Sequence, residues 1–279
     1  MDSQPVLFLI DGHALAYRMY FAYIKANMTT SSGEPTGAVR GFCQQLLNIY
    51  ETYQPKYLAV TFDEGLSGRD EYFPDYKATR SKMPDELNLQ FDRIFDLVDA
   101  FNIPRLSLEN MEADDILGTI SRQASEQGVG VHIATGDKDI LQLLDDNVRV
   151  QLPKRGGDDE VYDVAAFRDR FGLEPSQLID LKALMGDSSD NIPGVMGIGE
   201  KTATKLLQQF GTLENIYDNV ESLSKGVRNK LIDGKDNAYM SRRLATILRD
   251  LPINLDLQSC EARDFEYQDV DILLAELEI

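Results

Sequence analysis

The sequence predicts an α/β protein: a mostly parallel central sheet flanked by helices, followed by a helical C-terminal region. Three observations carry this. Short apolar, β-branched runs at residues 6–10, 57–62 and 129–135 read as buried parallel strands. Segments of helical periodicity separate them, the alternation that builds a parallel sheet. Beyond about Asp163 the helical pattern takes over.

In chain order, residues 5–11 form the first strand, and Ala14 to about Lys25 a helix. A polar loop with Gly33 leads to an amphipathic helix over 37–53, with Val39, Phe42, Leu46 and Tyr50 on its inner face. Pro55 ends it, and 57–62 is the second strand. Residues 64–84 interleave aromatic and basic side chains (Phe73, Tyr76, Lys77, Arg80) with weak amphipathicity. They read either as a solvated excursion or as a mobile cover beside a binding cleft. Pro84 opens a helix with Leu87, Phe91, Ile94, Phe95 and Val98 inward. A short strand at 103–106, a helix over 112–127, the strand at 129–135, a helix at 138–144 and a strand at 148–152 follow. Gly156-Gly157-Asp158-Asp159 reads as a tight turn before a short strand at 160–162. Pro175 starts a helix through Leu178, Leu181 and Leu184.

Composition bounds the function. Apolar residues make up 43% of 279, enough for a full core. No run of 18 apolar residues and no basic leader occurs, so neither a membrane span nor a signal peptide is expected. Cys43 and Cys260 lack zinc-ligand spacing, which points to a reducing, cytoplasmic setting. The net charge of −19 argues against a nucleic-acid partner, unless cations offset clustered acids and basic residues are grouped locally.

The acids are indeed clustered. The strands run into Asp11, Asp63 and Gly136-Asp137-Lys138-Asp139. Glu112-Ala113-Asp114-Asp115 heads a helix, where helical spacing would set Glu112 and Asp115 on one face. Asp187-Ser188-Ser189-Asp190 adds two more acids. In an open α/β sheet, ligands bind beyond the carboxyl ends of the strands. Nine carboxylates there would repel each other unless hard divalent ions, Mg²⁺ or Mn²⁺, lay among them. The glycine-spaced run Gly194-Val195-Met196-Gly197-Ile198-Gly199-Glu200-Lys201-Thr202-Ala203 makes a hairpin opening a helix. Its free amides, with Lys201 and Lys205 alongside, suit a phosphate backbone.

These residues together closely resemble the flap endonuclease family, the group that includes the 5′-nuclease domain of bacterial DNA polymerase I. The matching pieces, in family order, are Asp11-Gly12-His13 with Tyr17-Arg18, Phe62-Asp63, Tyr76-Lys77-Ala78-Thr79-Arg80, Glu112-Ala113-Asp114-Asp115, Thr135-Gly136-Asp137-Lys138-Asp139, Gly186-Asp187-Ser188-Ser189-Asp190-Asn191-Ile192-Pro193-Gly194 and Gly197-Ile198-Gly199-Glu200-Lys201-Thr202-Ala203. The resemblance implies a resolvase-like (PIN-like) α/β nuclease core over 1–174, with a helical arch at about 64–100. It implies a helical DNA-binding subdomain over 175–279, with a helix–three-turn–helix (helix–hairpin–helix) at about 186–210. It also implies cleavage of 5′ flaps, removal of nucleotides from 5′ ends, and removal of RNA primers in replication and repair. The substrate would be duplex DNA with a 5′ flap or 5′ end, or an RNA primer–DNA junction. The enzyme would be a bacterial, cytoplasmic, nucleoid-associated monomer, with or without a covalently linked polymerase.

By the same resemblance, Asp63, Glu112, Asp114 and Asp115 would hold one divalent ion, which supplies hydroxide. Asp137, Asp139, Asp187 and Asp190 would hold a second, which stabilises the leaving 3′-oxygen. Asp11 would bind directly or through water. Lys77 and Arg80 would clamp the scissile phosphate. Phe73 and Tyr76 would stack on a frayed base or pack within the arch, and Arg18 would contact phosphate or form a surface salt bridge. Gly197, Gly199, Lys201, Thr202 and Lys205 would meet the DNA backbone, with K⁺ held by carbonyls near Val195 and Ile198. His13 and His132 are poor metal candidates, since nitrogen ligands do not suit an oxygen-rich site.

Overall fold

The computed structural model describes residues 4–154, 159–262 and 267–279; residues 156–158 of the expected tight turn lie outside this set. The strands are β1 (Val6–Asp11), β2 (Tyr57–Thr61), β3 (Arg105–Leu106), β4 (Gly130–Ala134), β5 (Val148–Leu152) and β6 (Glu160–Tyr162). Among the described residues they form one sheet of order β3-β2-β1-β4-β5-β6. β1 to β5 pair in parallel, and β6 runs antiparallel to β5. The chain builds outward from β1 through β2 to β3, then crosses to β4 on the other side. That reversal makes the carboxyl ends of β1 and β4 the crevice of the sheet. The register pairs Asp11 with Thr61, and Ile10 with Ala134, so Asp63 and Asp137 leave the sheet beside Asp11.

Each buried strand alternates between two cores. Leu7, Leu9, Val131 and Ile133 face one core, with α5 (Ala113–Glu126) and the C-terminal helices. Those helices are α6 (Val164–Phe171), α7 (Gln177–Met185), α8 (Glu200–Phe210), α9 (Leu213–Asp218), α10 (Lys225–Asp233) and α11 (Lys235–Ala245). Phe8, Ile10, Leu58 and Val60 face the other core, with α1 (Gly12–Tyr23), α2 (Gly37–Tyr53) and α4 (Asp85–Ala100). α12 (Tyr267–Glu276) returns to this second core through Val270 and Leu273, and Leu277 follows it there. Two of the helices start at side-chain caps that the sequence supplies: Asp11 accepts from the Ala14 N–H at α1, and Asp163 from the Ala166 N–H at α6.

Three elements differ from expectation. The strand at 103–106 shortens to Arg105–Leu106, because only two residues find a partner on β2. The helix at 138–144 is a 3₁₀ helix over Lys138–Leu143. The segment expected to be a helical arch contains α3 (Arg69–Tyr72), four residues long, and otherwise turns up to α4. Weak amphipathicity gave its 73–84 portion no apolar stripe to bury as a helix.

Residues 246–255 lie along α5 and satisfy their amides on its side chains. Leu251 N–H donates to Thr119 Oγ1, and Leu255 N–H to Gln123 Oε1. Gly118 permits this approach: a Cβ there would lie 2.6 Å from Ile247 Cγ2 and 2.7 Å from the Leu248 carbonyl oxygen. Helix propensity alone favours Ala over Gly by about 1 kcal/mol. Here the close backbone wins, so Gly118→Ala is expected to destabilise by about 1–3 kcal/mol, measured by urea unfolding. A gain in stability would show that the segment is free to retreat.

Candidate metal centre and nucleic-acid face

An open cleft of about 960 Å³ lies beyond the carboxyl ends of β1, β2 and β4. Asp11, Asp63, Glu112, Asp114 and Asp137 line it, together with Tyr17, Lys77 and Arg80. Local structure fixes each acid. Asp11 caps α1 through the Ala14 N–H at 2.9 Å, and its second oxygen accepts from Thr135 Oγ1 at 2.7 Å. Thr135 in turn accepts the Asp137 N–H at 3.0 Å. Asp63 accepts the Ala113 N–H at 2.8 Å at the head of α5, and its own N–H donates to His13 Nδ1. Asp11 and Asp63 therefore double as acceptors for helix-start amides, which orients their carboxylates before any ligand arrives.

This proximity has an electrostatic cost. Burial, with the charges of Asp63 and Asp137 nearby, pushes Asp11 up to about 7. Burial, with Asp137 and Asp11 beside it, raises Asp114 well above the usual carboxylate range. Acids so placed favour either a proton or an external cation.

A second acidic group lies behind Asp137 against α7. Asp137 accepts the Asp139 N–H at 2.8 Å. Asp187 and Asp190 sit in a loop closed by paired backbone bonds between Asp187 and Ile192. Gly186 and Gly194 cross at its neck, each with φ above +60°; a Cβ on Gly194 would run into the Gly186 nitrogen, so only glycine fits.

Basic side chains from outside the sheet enter both groups. Lys77 ion-pairs with Glu112, Arg80 with Asp190, and Lys182 on α7 with both Asp139 and Asp187. Burial alone would lower the Lys77 pKa, but the adjacent Glu112 charge raises it above the ordinary lysine value. Burial alone would raise Asp187, but Lys182 and the Ser189 donors hold it down at about 2. Lys77 is held in the left-handed region at φ 55°, with its N–H on the Asp190 carbonyl at 2.9 Å. That contact ties the 64–84 segment to the Asp187–Asp190 loop.

Several residues are placed otherwise than the sequence suggested. Asp115 is fully buried, with both oxygens taken by Arg69, Ser67 and the Leu248 N–H. It anchors Arg69 and is not among the residues that line the cleft. Arg18 makes a bidentate pair with Asp159 at 2.9 and 3.0 Å, away from the acids, so the salt-bridge alternative holds. Tyr76 is buried against Ile192, Leu244 and Ala245, and Phe73 packs on the same cluster. Packing, not an exposed stacking platform, is what both rings do. His13 leans on Phe91 but lines the cleft, its Nδ1 3.2 Å from Asp63 Oδ2, whereas His132 stacks on Phe8 at 4.6 Å.

Sequence reasoning missed two residues. Arg69 is buried, bonding Glu112 and Asp115 at 2.6 Å and the carbonyls of Leu244 and Thr246 at 3.0 and 2.7 Å. Lys182 is buried in a mainly apolar helix that also buries Asp180, and a charge between Leu181 and Ala183 was the available signal. On the far helical face, Gly197, Gly199, Lys201 and Lys205 are exposed and Thr202 half-exposed at the start of α8. The Val195 carbonyl accepts the Ile198 N–H at 3.0 Å, closing the hairpin.

The donor set at the cleft is all carboxylate oxygen, which suits hard divalent cations. As placed, the acids ring the cleft without converging: among the described residues, no three His, Cys, Asp or Glu side chains form a group that could hold a metal ion. Lys77, Arg80 and Lys182 each pair with a carboxylate of the set. Asp11, Asp63, Asp114 and Asp137 have no such lysine or arginine pair among the described residues and remain the best-fitting donors.

Comparison with known proteins agrees with this architecture. Residues 6–172 match the profile of the 5′-3′ exonuclease N-terminal resolvase-like domain, and 173–268 that of the 5′-3′ exonuclease C-terminal SAM fold. DNA polymerase I of Chloroflexus aurantiacus is 48% identical over 99% of this chain, and that of Bacillus subtilis 41% over 99%. The chain spans only 30% and 32% of these relatives' lengths. A variant of the bacteriophage T5 flap endonuclease, in a pseudo-enzyme–product complex with DNA and metal ions, superposes with a TM-score of 0.71. It is 23% identical, over 98% of this chain and 100% of that one. The catalytic core of Rad2 with DNA substrate gives 0.64 at 17% identity, over 98% and 88%. With both profiles matched in order across nearly the whole sequence, the chain belongs to the 5′-3′ exonuclease family.

Proposed function

We propose that this chain is a structure-specific 5′ nuclease, a metal-dependent flap endonuclease and 5′-3′ exonuclease acting on DNA phosphodiesters. The observation that carries the reading is that two charge sets line one cleft. Carboxylates from the ends of β1, β2 and β4 and from the head of α5 line it together with Lys77 and Arg80. Such a cleft accepts an anionic strand only where cations mediate.

Asp11, Asp63, Glu112, Asp114 and Asp137 would hold the cations, Mg²⁺ or Mn²⁺, with Asp139, Asp187 and Asp190 completing a second position. Divalent ions there would activate a water and neutralise charge on the leaving 3′-oxygen. Among the described residues, no lysine or arginine lines the cleft except Lys77 and Arg80, which form its phosphate clamp; releasing Glu112 and Asp190 frees them for the strand. Gly197, Gly199, Lys201, Thr202 and Lys205 would grip the duplex backbone, with K⁺ at the Val195 and Ile198 carbonyls. The T5 and Rad2 proteins bound to DNA support the substrate class, and the DNA polymerase I relatives support a linked polymerase. Flap and RNA primer–DNA junctions are the substrates, met by a monomer at the bacterial nucleoid. Among the described residues no helix is long and apolar enough to cross a membrane.

Three outcomes are expected. A 5′-flap duplex with Mg²⁺ should yield short 5′-phosphorylated products on a sequencing gel, with none in EDTA or with Asp137→Asn. Equal cutting by that variant would remove Asp137 from the centre. Lys77→Ala should lower single-turnover cleavage by about 100- to 1000-fold while duplex affinity changes little. The reverse pattern would make Lys77 a binding residue only. Without DNA, Mg²⁺ at about 100 times its Kd should raise Tm by about 5–10 °C, and Asp114→Asn should cancel most of the gain. An unchanged Tm in the wild-type protein would count against a preformed cation site.

A further inference from the structure

Lys182 has a placement that the nuclease reading does not require. It projects from α7 and is 9% exposed, between chain segments that sequence order separates widely. Its ammonium pairs with Asp139 Oδ1, after β4, and with Asp187 Oδ2 at 2.5 Å, after α7. The other oxygen of Asp187 is already engaged by the Ser189 N–H and hydroxyl at 2.8 and 2.6 Å. Asp190 in the same loop is paired with Arg80. At the other end Glu112 is paired with Arg69 and Lys77, but among the described residues Asp11, Asp63, Asp114 and Asp137 have no lysine or arginine ion pair. The two ends of the acidic cleft are therefore compensated unequally: Asp139, Asp187 and Asp190 are all paired at one, and Glu112 alone of five acids at the other.

We propose that Lys182 is a built-in counter-cation for the Asp139–Asp187 pair, which makes this end of the cleft the weaker divalent-cation site and requires the ammonium to be displaced for full occupancy. The inference rests on the reading of the cleft as a two-ion centre. A fixed positive charge a few ångströms from an incoming divalent ion lowers its affinity by about tenfold or more, even with strong dielectric damping. The alternative role, a tether that keeps Asp139 and Asp187 convergent for the ion, has the opposite sign. Removing the tether would weaken binding, whereas removing the counter-cation tightens it. Lys182 is thus a positioning and tuning residue that sets how readily the second ion loads at low metal concentration.

The test is a Mn²⁺ titration of the free protein without DNA, read by calorimetry and by electron paramagnetic resonance of unbound Mn²⁺. Wild-type protein should show a tighter and a weaker class of site, both sensitive to Asp137→Asn. Lys182→Met, which keeps the aliphatic stem, should tighten the weaker class by about tenfold or more. The tighter class should stay within about twofold. Lys182→Arg, which retains the charge, should leave both classes near wild type. Lys182→Gln provides the same test if the methionine variant melts early. An unchanged or weakened second class in the neutral variants would overturn the counter-cation role while leaving the nuclease reading intact. Absence of any Asp137-dependent Mn²⁺ binding in the wild type would overturn both.

Discussion

The structure depends on holding like charges together. Carboxylates crowd the crevice of a parallel sheet, where burial and mutual repulsion raise Asp11 and Asp114 toward their protonated forms. Left alone, such a group would push its own elements apart. The chain answers with cations of its own, each delivered by an element outside the sheet: Arg69, Lys77, Arg80 and Lys182. Buried ion pairs add little net stability, because desolvation cancels much of the attraction. What they do supply is geometry, since each pair fixes where two distant segments meet.

That geometry joins three parts of the chain around one cleft. The 64–84 segment reaches the α7–α8 loop through the Lys77 N–H on Asp190, and the C-terminal end of α11 through Arg69 on the Leu244 and Thr246 carbonyls. The capping bonds of Asp11 and Asp63 lock the sheet side. A ligand that displaces Lys77 or Arg80 from its carboxylate therefore loosens a contact between segments as well as filling a cleft. Binding and segment position are coupled through the same ion pairs.

Much of this was readable in the residues. The strands at β1, β2 and β4 announced themselves by short apolar runs, and the acids at their ends by position. The glycine hairpin before α8 was legible from spacing alone. What stayed hidden depended on contacts between distant residues. Helical spacing set Glu112 and Asp115 on one face, and both do reach the same Arg69 nitrogen, but it could not show that Asp115 is fully buried there. Arg18 could not reveal a partner 141 residues away. Tyr76 and Phe73 carried no periodicity to show that they pack downward. Lys182 lies, like Asp180, within a mainly apolar helix, a mismatch whose meaning needed the positions of Asp139 and Asp187.

The last helix changes how the molecule divides. The two profile matches meet at residues 172 and 173, as if at a clean joint. Yet Val270, Leu273 and Leu277 complete the core formed by α1, α2 and α4, and the Ala262 N–H bonds the Lys56 carbonyl at the sheet edge. The chain's end thus fastens onto its beginning, like a strap drawn back across the first half. Severing the polypeptide at that joint would strip apolar cover from the amino-terminal piece, so the halves are partners in one cooperative unit and not interchangeable modules.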